Sequence, residues 1–132
     1  MNRTIIALLS VIAIGAVVWM LFFQTSSTIQ QVTTTQLQEK LQQQLNSSAV
    51  FIDVREENEY TEGHIEGIAN VPLSSLPNRL AEIPKDKEVV IICRSGNRSM
   101  QAAKLLQEQG YTNIVNVSGG MLDWKGPVKT GK

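Results

Sequence analysis

The sequence predicts an α/β fold: a small doubly wound parallel sheet flanked by helices, preceded by one apolar N-terminal helix. Three observations lead there. Short apolar runs, AVFIDV over 49–54 and VVII over 89–92, read as strands buried on both faces, the pattern of a parallel sheet. These runs alternate with stretches of helical periodicity, as βα units require. Asp53 and Cys93 stand at the carboxyl ends of the two runs, the edge on which open α/β sheets bind ligands.

The first element is the run over 5–23, IIALLSVIAIGAVVWMLFF, nineteen residues without a charge. A helix of that length spans roughly 28 Å, close to a hydrocarbon core of about 30 Å. Residues 1–24 are therefore expected to form a retained transmembrane anchor. The rival is a cleaved signal segment, whose apolar region usually runs about 7–15 residues. Thr25, Ser26 and Ser27 offer only a poor cleavage site. Arg3 precedes the run and the next basic residue is Lys40, so the positive-inside rule exports the chain beyond the run. The expected location is membrane-anchored with the domain on the extracytoplasmic side; the alternative is secretion after cleavage. The membrane is then a partner through the N-terminal helix.

Residues 25–28 read as a short tether and 29–127 as one domain, with 128–132 a fraying tail. Within the domain, 29–32 is a first edge strand. A helix over 33–46 comes next, with Thr33 and Gln36 at capping-box spacing and a thin stripe of Leu37, Leu41 and Leu45. Two heptads are too few for a coiled-coil arm, which favours a packed surface helix. After the strand over 49–54 comes a short polar helix over 55–61, stopped by Gly63. Residues 69–71 form a strand closed by Pro72. Ser74 or Ser75 caps a helix through Leu80, with Pro77 in its first turn. A charged turn over 84–88 leads into the central strand over 89–92.

The stretch 89–103, VVIICRSGNRSMQAA, organises the rest. Ser99 is expected as N-cap of a helix carrying Met100, Ala103, Leu105 and Leu106 on one face, with Gly110 as its C′ glycine. Cys93 thus lies in a tight loop between a strand end and a helix start, where convergent N–H groups favour negative charge. A helix N-terminus and nearby cations pull a cysteine pKa from about 8.5 into roughly 3.5–7.5. Arg94 and Arg98 supply the cations, and Gly96 and Asn97 tolerate the turn. Cys93 is read as an ionised nucleophile rather than a core cysteine. The strand over 113–117 and the Gly119–Gly120 turn come after the helix, on the same sheet edge. Trp124 is read as closing the core rather than stacking on a substrate.

Composition narrows the function. Twelve basic and twelve acidic residues give no net charge, which argues against nucleic acid as partner. One cysteine excludes an internal disulfide or a cysteine cluster, and one histidine excludes a multi-histidine metal site within one chain. No metal and no cofactor are expected.

CRSGNRS over 93–99 resembles the active-site loop of the rhodanese-like sulfurtransferases, C-x4-R followed by Ser or Thr. DVREENEYTEGHIEGIANVPL over 53–73 is similar to the family's D-V-R-x-x-x-E-[YF]-x-x-G-H-I-x-G-A-x-N-[IV]-P. VSGGMLDW over 117–124 resembles its closing V-x-G-G-x-x-x-W. Ile68-Ala69 departs slightly, since the family more often has the small residue first. The likeness spans residues 29–127.

The resemblance implies sulfur transfer through a Cys93 persulfide. A small anionic donor such as thiosulfate is attacked, and cyanide or a thiol accepts. Arg94, Ser95, Gly96, Asn97, Arg98 and Ser99 form the binding loop. Arg98 is expected to fold back and lock it, while Arg94 attracts donors. Asp53, Arg55 and His64 are expected to stand behind the site. Asp53 as general base and His64 in a Cys–His dyad are the rival assignments; the family places this histidine in a structural turn. Phosphatases use the longer C-x5-R loop, so the spacing from Cys93 to Arg98 favours a persulfide over a phosphocysteine. A sulfur-carrying or partner-binding module, or a reversibly oxidised thiol, are the other classes.

Overall fold

The computed structural model describes residues 2–22, 28–44 and 47–132, with side chains of the first helix described over 10–20. The elements run α1 (Arg3–Phe22), β1 (Gln30–Val32), α2 (Thr34–Gln42), β2 (Val50–Asp53), α3 (Glu57–Glu62), β3 (Ala69–Asn70), β4 (Val89–Ile92), α4 (Asn97–Glu108), β5 (Ile114–Val117) and α5 (Gly120–Asp123). The five strands form one parallel sheet in the order β1-β5-β4-β2-β3. The fold class is the doubly wound α/β arrangement expected.

Strand β4 sits in the middle because all four of its residues are apolar and buried. Alternation along it sends Val89 and Ile91 to one face and Val90 and Ile92 to the other. The first face packs against Ala102, Ala103 and Leu106 of α4, the second against Leu37 of α2. Cys93 continues the Val89–Ile91 face, so its side chain is delivered beneath the start of α4. That alternation positions the site.

Helix α2 begins with the expected capping box, Thr33 Oγ accepting from Gln36 N–H and Gln36 Oε1 from Thr33 N–H. It ends at Gln42; the expected third leucine, Leu45, lies outside the described residues. The helix expected after Ser75 is two 3₁₀ turns, Leu76–Asn78 and Leu80–Glu82. Pro77 lacks the N–H that a continuing helix would use, and the segment is too short to recover it. Trp124 is half-buried against the α2-side core and donates from Nε1 to Pro127 O. The expected fraying tail is instead pinned. Lys129 and His64 exchange backbone hydrogen bonds of 2.8 Å each, and Gly131 N–H donates to Thr61 O.

The expectations of a membrane anchor or signal segment, of the membrane as partner and of an extracytoplasmic location are corrected. Among the described residues no helix is long and apolar enough to cross a membrane. Residues 25–27 of the expected tether, with the cleavage position there, lie outside the described residues.

Candidate active site at the start of helix α4

The loop after β4 turns directly into α4, which starts at Asn97 with Gly96 as N-cap. The sequence placed the cap at Ser99. The difference arises at Gly96, whose φ of +100° lets the chain enter the helix three residues earlier. A Cβ there would also stand 3.4 Å from Gly119 N. Ser99 therefore occupies the third helical position and is fully buried. Its side chain is free to face the cysteine instead of capping the helix.

Cys93 Sγ accepts a hydrogen bond from Gly96 N–H at 3.1 Å and lies 3.2 Å from Ser99 Oγ. Cys93 is only 1% exposed. Burial pushes its thiol pKa up, but the Ser99 hydroxyl and the N–H groups of Ser99, Gly96 and Ser95 outweigh it. The pKa lies below the ordinary thiol value. The physical cause is the helix start, whose first N–H groups have no partners inside the helix and turn toward the sulfur.

Arg98 does not fold back over its own loop. Its guanidinium forms a two-pronged pair with Glu59 of α3, Nη1–Oε2 2.6 Å and Nη2–Oε1 2.7 Å. The Arg98 hydrogen bond, with help from the Glu56 N–H, lowers the Glu59 pKa to about 2 against the opposing effect of burial. The Glu59 contribution to stability is therefore complete above its ordinary value near 4.5 and is lost as pH falls toward 2. The start of α4 is tied to α3. Glu59 was not singled out from the sequence; its place in D-V-R-x-x-x-E was the signal available.

A second junction lies behind it. Asp53 is buried, and both its oxygens are held by Arg55, Nη2–Oδ2 at 2.7 Å and Nε to each oxygen at 3.0 Å. Arg55 also donates to the carbonyls of Glu59 and Gly63. Asp53 is thereby committed to the frame of α3, which leaves it no free oxygen for a general base. His64 is placed away from Cys93: its Nδ1 lies 3.0 Å from Tyr60 O and its ring stacks on Tyr60 at 3.9 Å.

Arg94, Ser95 and Asn97 are exposed. The other wall is α5, whose first N–H groups clamp the loop, Met121 N–H to Cys93 O at 2.9 Å and Leu122 N–H to Arg94 O at 3.0 Å. Gly120 makes that approach feasible, since a Cβ on it would stand 2.4 Å from Cys93 O. Gly120→Ala is expected to force the two loops apart and to cost about 2 kcal/mol, measured by urea denaturation, with slower cysteine modification. Among the described residues no group of three or more His, Cys, Asp or Glu side chains is arranged to hold a metal.

A family model described as "Rhodanese-like domain" matches residues 35–127. The Bacillus subtilis protein YtwF is 42% identical over 101 residues, covering 76% of this chain and 95% of YtwF. The thiosulfate sulfurtransferase PspE of Escherichia coli is 39% identical over 75 residues, 55% of this chain and 71% of PspE. A crystal structure of a rhodanese-like domain protein from Staphylococcus aureus superposes with a TM-score of 0.68 at 32% identity, covering 79% of this chain and 100% of that one.

Proposed function

Because the chain belongs to the rhodanese-like domain family, we propose that it is a sulfurtransferase that works through a persulfide on Cys93. The observation that carries this is the Cys93 sulfur held among the Ser99 hydroxyl and the N–H groups of Gly96, Ser95 and Ser99. A thiolate suits that environment, and so does the terminal anion of Cys–S–S⁻.

In the first half-reaction the Cys93 thiolate attacks the outer sulfur of thiosulfate. The S–S bond of the donor breaks, sulfite leaves with the electron pair, and Cys93 keeps the sulfur. In the second, cyanide or a thiol attacks that terminal sulfur and restores the thiolate. The loop N–H groups act as a preformed anion hole in both steps. Arg98 has the role of holding the loop through Glu59 rather than touching substrate. Cys93 is nearly enclosed, so the donor sulfur enters past the exposed side of the loop, formed by Arg94, Ser95 and Asn97. The resemblance of PspE to this chain supports thiosulfate as the donor.

Incubation with thiosulfate followed by intact mass analysis tests the proposal: a gain of one sulfur atom supports it, and no gain overturns it. Ser99 gives a finer test. Ser99→Ala removes one donor to the thiolate, so the thiol pKa rises. The pH profile of sulfur loading is expected to move to higher pH, with loading at pH 6 slowed about three- to tenfold.

A further inference from the structure

Helix α3 has six residues, none of them fully buried. A helix that short has little stability of its own, so its place depends on what its backbone is tied to. Its last carbonyls find no partner inside the helix. Arg55 Nη1 donates to Glu59 O at 3.3 Å and Gly63 N–H to Tyr60 O at 3.2 Å. Thr61 O accepts from Gly131 N–H at 2.8 Å, a donor from the other end of the domain. The segment that brings Gly131 there is fastened just before it. Lys129 N–H donates to His64 O and His64 N–H to Lys129 O, each at 2.8 Å. Lys132 pairs with Glu57 and Lys129 with Glu66, but all four side chains are more than half exposed, so these pairs contribute little beside the backbone bonds. Residues 128–132 lie beyond the family match, which ends at 127.

Helix α3 in turn carries the Glu59 carboxylate, which holds both Nη atoms of Arg98, the second residue of α4. At that same helix start the Gly96 N–H and the Ser99 hydroxyl meet Cys93 Sγ. We propose that residues 128–131 are a strap that positions α3, and that through the Glu59–Arg98 pair this strap sets how closely the start of α4 holds the Cys93 sulfur. The inference rests on the sulfur-transfer reading for the use made of Cys93, and adds what positions its site. Lys129 and Gly131 are positioning residues that act through their backbone N–H groups. Lys129→Pro removes the N–H that meets His64 O. Gly131 has a φ of +88°, and a Cβ there would meet nothing within 4 Å, so Gly131→Ala acts through the backbone alone.

The pH profile of Cys93 alkylation by iodoacetamide, followed by intact mass, reads the thiolate without requiring sulfur transfer. Glu59, its pKa held at about 2, stays ionised throughout, and His64 is common to every variant. Lys129→Pro and Gly131→Ala are each expected to move the profile to higher pH, lowering the rate at pH 6, relative to its plateau, about two- to fourfold. In the Glu59→Ala chain, which has already lost the tie to Arg98, the same substitutions should add nothing. Tyr111→Phe is the control for lost stability. It removes the hydroxyl that donates to Leu80 O and Ile83 O beyond the far end of α4, and its profile should match the native one. Native profiles in both strap variants, an equal shift in Tyr111→Phe, or a full further shift in the Glu59→Ala chain would overturn the inference. Thiosulfate loading of the native chain is measured beside it. Loading with native alkylation profiles in the strap variants removes the strap and keeps sulfur transfer; absence of loading removes the sulfur-transfer reading itself.

Discussion

Cys93→Ser protein incubated with thiosulfate is expected to gain no sulfur, and its transfer of sulfur to cyanide or a thiol to fall to the uncatalysed level. Cys93 is the chain's single cysteine, so no second thiol can take over. A serine hydroxyl remains protonated at neutral pH and cannot hold a sulfane sulfur as a persulfide. The fold should survive. Serine is close to cysteine in shape, and the Ser99 hydroxyl and Gly96 N–H that met the sulfur remain as partners for its oxygen. A thermal melt shifted by only a few degrees, beside complete loss of loading, is the expected pair of results. Sulfur gained by the Cys93→Ser protein would remove the proposed nucleophile.

Arg55→Leu is the substitution expected to damage the fold most, by about 3–5 kcal/mol. It leaves the Asp53 carboxylate buried at 1% exposure with only the Arg55 backbone N–H to meet it. The carbonyls of Glu59 and Gly63 lose their donor as well. Against a typical domain stability of about 5–15 kcal/mol, such a loss leaves a marginal protein. Urea denaturation measures it. Replacing both ends of the pair, Asp53→Leu with Arg55→Leu, should recover part of the stability because no unpaired charge stays behind. Equal stability of Arg55→Leu and the native chain would show that the pair is not a structural tie.

The consequence reaches the site through α3. Arg55 holds the Glu59 carbonyl, and the Glu59 carboxylate holds Arg98 one residue before Ser99. Loosening the first tie should slacken the second. The loop around Cys93 is therefore held from two directions, by α3 through Arg98 and by α5 through the Met121 and Leu122 N–H groups.

Much of this was legible in the chain because it arises from local patterns. The VVII run marked β4, and its alternation carries on into Cys93. The C-x4-R spacing marked the loop, and Gly119–Gly120 a turn on the same sheet edge; that this turn clamps the loop came only from the structure. What escaped depended on positions far apart in the chain. Ser99 looked like a cap from its neighbours alone, whereas Gly96 takes that position and Ser99 turns inward. Arg98 was expected to close on its own loop, but its partner, Glu59, comes from 39 positions upstream. The tail was expected to fray because nothing in 128–132 forms a core, yet its backbone pairs with His64. The apolar run over 5–23 suggested a bilayer span, whereas no helix among the described residues meets that requirement.

Period, composition and loop spacing by themselves determined the parallel sheet, the cysteine at its carboxyl edge and the helix start beside it, since each arises from the preferences of adjacent residues. Tertiary structure alone decided which charges remain open. Arg55 and Glu59 are consumed by Asp53 and Arg98, while among the described residues the Arg94 and Glu62 side chains form no ion pair. The reason is that an ion pair depends on a few ångströms of distance between elements, which one-dimensional order does not contain.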